Sequence, residues 1–482
     1  MSGITLLGLG PGDPNKMTRE AWNLLSSPGE AWLRTREHPV VAGLPSTLKV
    51  FSFDDLYNEK RSFEEVYAAI VEKVIALGSR PQGVVYAVPG DPFIAEATCP
   101  EIAHQARTLG MDLHVVNGMS FLEPVFSAMG IDPFPRLALV DAMDIASRHV
   151  PHFPPDMPAL IAQLYSPQLA SEVKMTLNST YPDEHSVCLV HAAGTENEAL
   201  ERICLYEIDR SRNIGALTAL YVPAMEQGTS FEAFAEVVAR LRAPDGCPWD
   251  REQTHSSLRP HMLEETYEVL TAIDAEDPQK MAEELGDLLL QIVLHAQIAG
   301  ETGAFAMADV LKRINAKIIH RHPHVFGDLS VEGVKGVLQN WEKLKDEERQ
   351  VQGGKEKGLL DGVPLSLPSL AQAQEYQDRA ARVGFDWPEI EGVLDKIVEE
   401  INEVGQAGEG KELADELGDL FFALVNLARW KKVDAESVLR EANVRFKSRF
   451  AYIEEKAKSL GKRLSDMSLD EMENLWQEAK KK

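Results

Sequence analysis

The spacing of hydrophobic positions changes about halfway along the chain. Up to residue 222, short apolar runs end in turns rich in Gly, Pro and Asp, the pattern of buried strands followed by loops and helices. Strands are predicted at the start of the chain, before the turn at 89–91, and at Leu113–Val116, Leu137–Val140, Pro158–Leu164 and Val187–Ala192. Beyond Tyr221, apolar residues recur at the spacing of amphipathic helices. The pattern predicts an α/β domain with a mostly parallel sheet, followed by a helical region.

Four carboxylates interrupt the apolar faces of the last helices. Glu400 and Glu403 stand one turn apart, and Glu416 and Asp419 repeat that step at the head of a hydrophobic helix. Buried carboxylates stay ionised only when cations neutralise them, and ligand sets made of oxygen alone favour Mg²⁺ or Mn²⁺ over zinc. A single pair of this kind usually marks an exposed helix face. Because the pair recurs, the sequence predicts a metal site.

The same arrangement occurs once before in the helical region. Glu265 and Glu268 precede Glu284 and Asp287, and the second pair again lies within the letters ELGDL. This recurrence is an internal repeat, and it predicts a second set of metal ligands.

Cations follow the carboxylates in both copies. Lys317 and Arg321 in the first copy correspond to Arg445 and Arg449 in the second, and each pair shares a helix face that could grip phosphate oxygens. Alignment on ELGD places Asn426 opposite a leucine of the first copy, so only the second copy offers an amide there for a sugar or base. Carboxylates for Mg²⁺ and cations for phosphates indicate phosphate-ester chemistry, more strongly in the second copy.

Composition narrows the class of protein. The net charge of −27 disfavours nucleic-acid binding, and the 482 residues contain no apolar stretch long enough for a membrane span. The N-terminus does not resemble a signal peptide, so we expect a cytoplasmic protein. The four cysteines lack paired spacing and are expected to be reduced.

The glycine-rich turns of the first part resemble those of the tetrapyrrole methylase family. The resemblance covers residues 1–222 through GLGPGDP, VPGDPFIAEA, NGMSFLE and HAAGTENEA. It implies two α/β subdomains with S-adenosylmethionine bound between them. It also implies a set of cofactor-binding residues, namely Pro11, Pro89, Gly90, Asp91, Ile94, Ser120 and Phe121. Asp91 could equally cap the helix that follows it.

The repeated part resembles the MazG family of nucleoside triphosphate pyrophosphohydrolases, and the whole chain resembles the YabN-type fusion of the two families. The resemblance implies two all-α bundles, at 228–349 and 369–482, joined by a linker at 350–368. It implies hydrolysis of a nucleoside triphosphate between the α and β phosphates, with metal-activated water attacking phosphorus. It also implies dimeric pairing of the bundles, so we expect a homodimer.

Two other functions remain open. The physiological reaction could be methyl transfer from S-adenosylmethionine to an unknown acceptor, with the helical half as a regulator. Alternatively, the methylase-like domain and the first repeat could be scaffolds for a partner. The first repeat keeps all four carboxylates, and whether it is active stays open.

Overall fold

The structure is a computed structural model that describes residues 3–60, 62–334, 336–337, 340–341, 344, 348 and 358–481. The chain divides into two compact units, Met1–Glu252 and Gln253–Lys482. None of the described helices is long and apolar enough to cross a membrane.

The first unit contains two five-stranded sheets. The strands are β1 (Gly3–Gly8), β2 (Glu30–Leu33), β3 (Lys49–Ser52), β4 (Val84–Val88), β5 (Asp112–Val116), β6 (Ala138–Asp141), β7 (Ala159–Ala162), β8 (Ser186–His191), β9 (Ala199–Cys204) and β10 (Thr218–Val222). The helices are α1 (Arg19–Ser26), α2 (Asp54–Glu59), α3 (Phe63–Gly78), α4 (Thr98–Thr108), α5 (Leu122–Met129), α6 (Ala142–Ala146), α7 (Pro167–Leu177), α8 (Phe231–Arg242) and α9 (Pro248–Glu252).

The two sheets differ in strand direction. The first has the order β3-β2-β4-β1-β5, and all of its strand pairs are parallel. The second has the order β6-β7-β10-β8-β9, and only the β6–β7 pair is parallel. The connection between β8 and β9 leaves no room for a crossover helix, so these two strands pair antiparallel. The prediction of a mostly parallel sheet therefore holds for the first sheet alone.

Buried side chains cover both faces of the first sheet. One apolar cluster includes Ile4, Val74 and Tyr86, and another includes Leu7, Leu25 and Leu33. Burial on both faces is what parallel strands with helices on either side require. The carboxyl ends of β1, β4 and β5 therefore meet at one edge of this sheet, where ligands bind in such folds.

All the secondary-structure elements described in the second unit are helices. Its helices are α10 (His255–Asp274), α11 (Pro278–Glu301), α12 (Met307–Arg321), α13 (Pro323–Phe326), α14 (Ser369–Arg382), α15 (Ile390–Gln406), α16 (Lys411–Trp430), α17 (Ala435–Ser459) and α18 (Leu469–Ala479). The paired helices α10 and α11 of the first copy correspond to α15 and α16 of the second. The side chain of Asp277 accepts hydrogen bonds from Gln279 N and Lys280 N, which caps α11 where Pro278 begins it.

Part of the predicted linker has a defined structure. Residues 350–357 lie outside the described residues, whereas Val363 is buried and Arg379 of α14 donates to the carbonyls of Leu359 and Gly362 at 3.2 Å. A buried guanidinium needs such acceptors. The segment 358–364 is therefore held against the second copy.

Candidate functional site

The predicted ligands of the second copy lie together on two paired helices. Oxygen atoms of Glu400, from α15, and of Glu416 and Asp419, from α16, all lie within 4.8 Å of one another. Glu400 is only 4% exposed, whereas Glu403 is exposed and stands outside this group of three. Glu400 of α15 is thus the one deeply buried carboxylate of this group, whereas Glu416 is partly buried and Asp419 is exposed.

Two features show that this cluster carries excess negative charge. Partial burial raises the pKa of Glu416, and the neighbouring charges of Glu403, Asp419 and Glu400 raise it further. Oε2 of Glu400 is buried and has no hydrogen-bond partner among the described residues. A buried carboxylate oxygen without a partner is costly, so this position fits a cation. The donor set consists of carboxylate oxygens, which suits Mg²⁺ or Mn²⁺.

The first copy repeats the cluster with a different selection of carboxylates. Glu265 and Glu268 of α10 and Glu284 of α11 lie within 4.8 Å of one another. Burial raises the pKa of Glu265, and the charges of Asp287 and Glu268 raise it further. Both copies therefore bring three of their four predicted ligands into one cluster.

Three of the four predicted phosphate-binding cations contact other residues in the structure, namely Arg321, Arg445 and Arg449. Arg321 forms an ion pair with Glu348, and its Nε lies 3.2 Å from both oxygens of that carboxylate. In the second copy, Arg445 pairs with Glu441 at 3.2 Å, and the guanidinium of Arg449 lies 5.6 Å from the ring centre of Trp476. Lys317 is exposed. None of these four cations forms an ion pair with the carboxylate clusters among the described residues.

Asn426 is part of a polar network at the far end of α16. Its Oδ1 accepts a hydrogen bond from Nε of Arg429 at 2.9 Å, and Arg429 also forms an ion pair with Asp386. Asp386 further accepts from the indole nitrogen of Trp430 at 3.1 Å. The amide nitrogen of Asn426 is the part of this side chain left for a ligand.

In the first unit, three glycine-containing turns meet at the carboxyl edge of the parallel sheet. Gly10 N donates to Gly90 O at 3.1 Å, and Gly90 N donates to Gly10 O at 2.9 Å. A Cβ atom on Gly118 would collide with Gly90 O and with the backbone of Gly8. Only glycine allows such close approach of three backbones. The turns that carry Pro11, Pro89, Gly90 and Ser120 therefore form one continuous surface.

The predicted cofactor-binding side chains differ in their hydrogen bonds and in their exposure. Asp91 accepts from Phe93 N at 2.9 Å and from Gly118 N at 3.1 Å, so its carboxylate joins two of the turns. Ser120 is buried and donates to Glu123 at 2.6 Å. Ile94 is 36% exposed, whereas Phe121 packs against an apolar cluster that includes Val125. Asp91 and Ser120 thus stabilise the shape of the edge.

The structure adds three residues that the sequence analysis did not single out. Nζ of Lys396 lies 2.7 Å from Oε1 of Glu400, and Trp476 lies against Arg449 as described above. His38 is buried and bonds to the backbone of Pro11, which must be the carbonyl because proline has no N–H. Burial lowers the pKa of His38 to about 4, so it is neutral at pH 7. The i,i+4 step from Lys396 to Glu400 was readable in the sequence, whereas the other two contacts join distant segments.

Three family models match successive parts of the chain. The model for tetrapyrrole (corrin/porphyrin) methylases matches residues 3–209, and the model for the MazG nucleotide pyrophosphohydrolase domain matches residues 253–326. The model for phosphoribosyl-ATP pyrophosphohydrolase matches residues 369–446. The fold and these matches define a fusion of a methylase domain with two helical domains of pyrophosphohydrolase type.

One relative covers nearly the whole chain, and others cover about half of it. The uncharacterized protein YabN of Bacillus subtilis is 41% identical over 99% of this chain and 98% of its own length. The chain therefore belongs to the YabN family of fusions. The nucleoside triphosphate pyrophosphohydrolase/pyrophosphatase MazG of Thermotoga maritima is 44% identical over 53% of this chain and 97% of its own length. The nucleoside triphosphate pyrophosphohydrolase of Escherichia coli is 45% identical over 51% of this chain and 95% of its own.

A solved structure of uroporphyrin-III C-methyltransferase from Thermus thermophilus aligns with 46% of this chain and 93% of that chain, at 21% identity and a TM-score of 0.36.

Proposed function

We propose that this protein is a Mg²⁺-dependent nucleoside triphosphate pyrophosphohydrolase whose main active site is the carboxylate cluster of the second copy. Water would add to the α-phosphorus while the bond from that phosphorus to the bridging oxygen breaks, giving a nucleoside monophosphate and pyrophosphate. The observation that carries the proposal is the buried carboxylate of Glu400, with an unpartnered oxygen, within 4.8 Å of Glu416 and Asp419. The relatives named for this activity support it.

The residues of the cluster have separate tasks in this proposal. Glu400, Glu416 and Asp419 would hold the metal, and Glu403 would complete the set from the exposed side. When bound, Mg²⁺ or Mn²⁺ would act as a Lewis acid for the phosphate anhydride. Nζ of Lys396, already 2.7 Å from Glu400, is placed to move its charge from that carboxylate to a substrate phosphate. Arg445 and Arg449 would bind the outgoing phosphates, with Asn426 toward the nucleoside.

The second copy is the better candidate for catalysis because its cations are easier to release. Arg445 and its partner Glu441 are both about half exposed, and exposed pairs of this kind contribute little to stability. Arg321 of the first copy is mostly buried and bonded through two of its nitrogens to Glu348. Bidentate pairs are stronger, so a substrate phosphate would have to displace Glu348. We therefore assign the first copy, with Lys317 and Arg321, a weaker activity or a binding role.

For the first unit we propose binding of S-adenosylmethionine at the edge formed by the three glycine-containing turns. The close contact of Gly10, Gly90 and Gly118 brings three turns together at the carboxyl edge of the parallel sheet, where ligands bind in such folds. The match to the methylase family model supports this assignment. Methyl transfer to an unknown acceptor, with the helical unit as regulator, is the second candidate function. Titration with S-adenosylmethionine decides it, because absence of binding would leave the unit as a scaffold.

We also propose that two chains pair through their second units. Leu285, Leu289 and Ile292 of α11 are exposed, and so are the corresponding Leu417, Phe421 and Leu424 of α16. The same apolar stripe at the same positions of both copies is larger than scattered surface hydrophobics and is typical of a protein interface. A second copy of the chain would cover it.

The test of the hydrolase proposal is pyrophosphate release from a panel of nucleoside triphosphates with Mg²⁺. Glu416→Ala is expected to abolish release while the protein stays folded, and Glu284→Ala is expected to retain most of it. Glu391→Ala, an exposed carboxylate in the first turn of α15, is the matched control and should behave as wild type. Equal partial losses in Glu416→Ala and Glu284→Ala would show two working sites. Absence of release in the wild-type protein would overturn the proposal.

A further inference from the structure

A second group of polar side chains continues the carboxylate cluster of the first copy along α11. Gln291 follows Asp287 by one helical turn, and His295 follows Gln291 by another, so the three share one face of the helix. Nδ1 of His295 lies 2.7 Å from Nδ1 of His255 at the start of α10, and the two rings are parallel. This polar stripe runs between the two helices that hold the metal ligands.

Two atoms of the stripe are buried and unsatisfied. Gln291 is only 6% exposed, and its Oε1 has no hydrogen-bond partner among the described residues. Nε2 of His295 is also buried without a partner in the part of the chain that the structure describes. Each such group costs roughly 1–3 kcal/mol. Two of them one turn apart indicate that a bound molecule completes them.

The second copy lacks this stripe. Alignment on ELGD places Ala423 opposite Gln291 and Leu427 opposite His295. Both pack in an apolar cluster with Val393 and Ile397. The carboxylates are common to both copies, whereas these two positions beyond them are polar in the first copy and apolar in the second. The two copies would therefore differ in how they contact the part of a nucleotide that lies beyond its phosphates.

We propose that Gln291 and His295 form a nucleobase-recognition site in the first copy, which makes that copy selective among bases while the second copy is permissive. This inference rests on the proposed nucleotide-binding function of the carboxylate clusters. Glu265, Glu268 and Glu284 would hold the metal that binds the phosphates, and the base would then extend along α11. Gln291 and His295 lie about 6 and 12 Å beyond Asp287 along the helix axis.

The hydrogen-bond donors and acceptors of Gln291 and His295 determine which nucleobases the site can bind. Gln291 Oε1 accepts only, so it requires an N–H of the base, from an exocyclic amine or a ring nitrogen. Nε2 of His295 can donate or accept a hydrogen bond. The bond to His255 is made by the other ring nitrogen, Nδ1, which can take either role in it. Burial, and then the neighbouring His255, lower the pKa of His295, which keeps this imidazole neutral at pH 7. A site with buried groups of this kind rejects a base that leaves them unpaired.

The experiment uses the full chain with one copy silenced at a time. Glu400→Gln/Glu416→Ala isolates the first copy, and Glu265→Gln/Glu284→Ala isolates the second. Each protein is titrated with the α,β-methylene analogues of ATP, GTP, CTP and UTP in the presence of Mg²⁺. We expect the first copy to separate the best and poorest analogue by tenfold or more in Kd, on the order of the free energy of one hydrogen bond. The second copy should separate them by much less.

Exchange of the two residues for their second-copy counterparts tests the assignment directly. Gln291→Ala/His295→Leu, added to the protein with only the first copy intact, should retain binding and lose the separation among bases. Gln291→Met alone keeps the side-chain volume and is the second variant, with folding of both checked by circular dichroism. Unchanged selectivity in both variants, or no analogue bound by the first copy, would overturn the proposal. Failure of the hydrolase proposal is seen separately, as absence of pyrophosphate release by the wild-type protein.

Discussion

Nζ of Lys396 lies 2.7 Å from one oxygen of Glu400, while the other oxygen of that carboxylate is buried without a partner among the described residues. The lysine hydrogen bond to Glu400, and then that to Glu399, raise the pKa of Lys396, so the side chain is fully protonated at pH 7. A single lysine neutralises one charge of a cluster that holds three carboxylates. The proposed divalent cation would neutralise the remaining negative charge.

The first prediction concerns Lys396. Lys396→Met should lower the free energy of unfolding of the metal-free protein by about 1 kcal/mol, a value reduced by the partial exposure of the lysine. Mg²⁺ should restore most of the loss, because it neutralises the same carboxylate. Thermal unfolding with and without Mg²⁺ measures both effects. Lys447→Met, at an exposed position of α17, is the control. Equal stability of the two metal-free variants would contradict the role of Lys396.

The second prediction is that stabilisation by Mg²⁺ depends on pH. Partial burial and neighbouring carboxylates raise the pKa values of Glu265, Glu284 and Glu416 above their ordinary 4.5. Protonation of these groups therefore favours the folded protein, and this contribution is present below pH 4.5 and lost as the pH rises through the folded-state pKa values. Mg²⁺ should restore this stability at higher pH, because it neutralises the carboxylates that have lost their protons.

The measurement is the rise in unfolding temperature on adding Mg²⁺ at pH 5 and at pH 7.5. The rise should be larger at pH 7.5. There, a free Mg²⁺ concentration of 100 times Kd stabilises the folded protein by about 2.7 kcal/mol per site. NaCl at matched ionic strength controls for screening. A rise of the same size at both pH values would show that Mg²⁺ binds elsewhere.

The third prediction concerns the apolar stripe of α16. Phe421 is 58% exposed, so a glutamate in its place should have little effect on a single chain. In a dimer, the same carboxylate would be buried at the interface, and dissociation should follow. Light scattering coupled to size exclusion measures the mass. Met175→Glu, at an exposed position of the first unit, should leave the mass unchanged. A wild-type protein that is monomeric would contradict the proposed pairing.

The fourth prediction concerns the contact of the three turns. Gly118→Ala should destabilise the first unit by roughly 1–3 kcal/mol, because the added Cβ collides with Gly90 O and the backbone of Gly8. Binding of S-adenosylmethionine, measured by calorimetry, should weaken with it. Gly215→Ala meets no atom within 4 Å and is the matched control. Full stability of Gly118→Ala would show that the turns can separate without cost.

The sequence was sufficient for the features that depend on local spacing. Period and turn residues predicted β1 and β4 to β8 but not β2, β3, β9 or β10, and i,i+3 steps predicted that Glu400 and Glu416 lie on helix faces. The recurrence of ELGDL located both copies, because a repeated motif does not require knowledge of the fold. The domain families followed from the same motifs, and the matching family models confirm them.

Only the tertiary structure decided which of these groups are buried and what each contacts. Glu400 and Glu403 have the same spacing signal, yet one is buried against α16 and the other is exposed. Asp91 could have faced a ligand, and the structure places it between two turns. Gln291 and His295 read as ordinary residues of an apolar helix until their unpartnered atoms are located. Burial and hydrogen bonding are set by segments distant in sequence, and no local pattern carries that information.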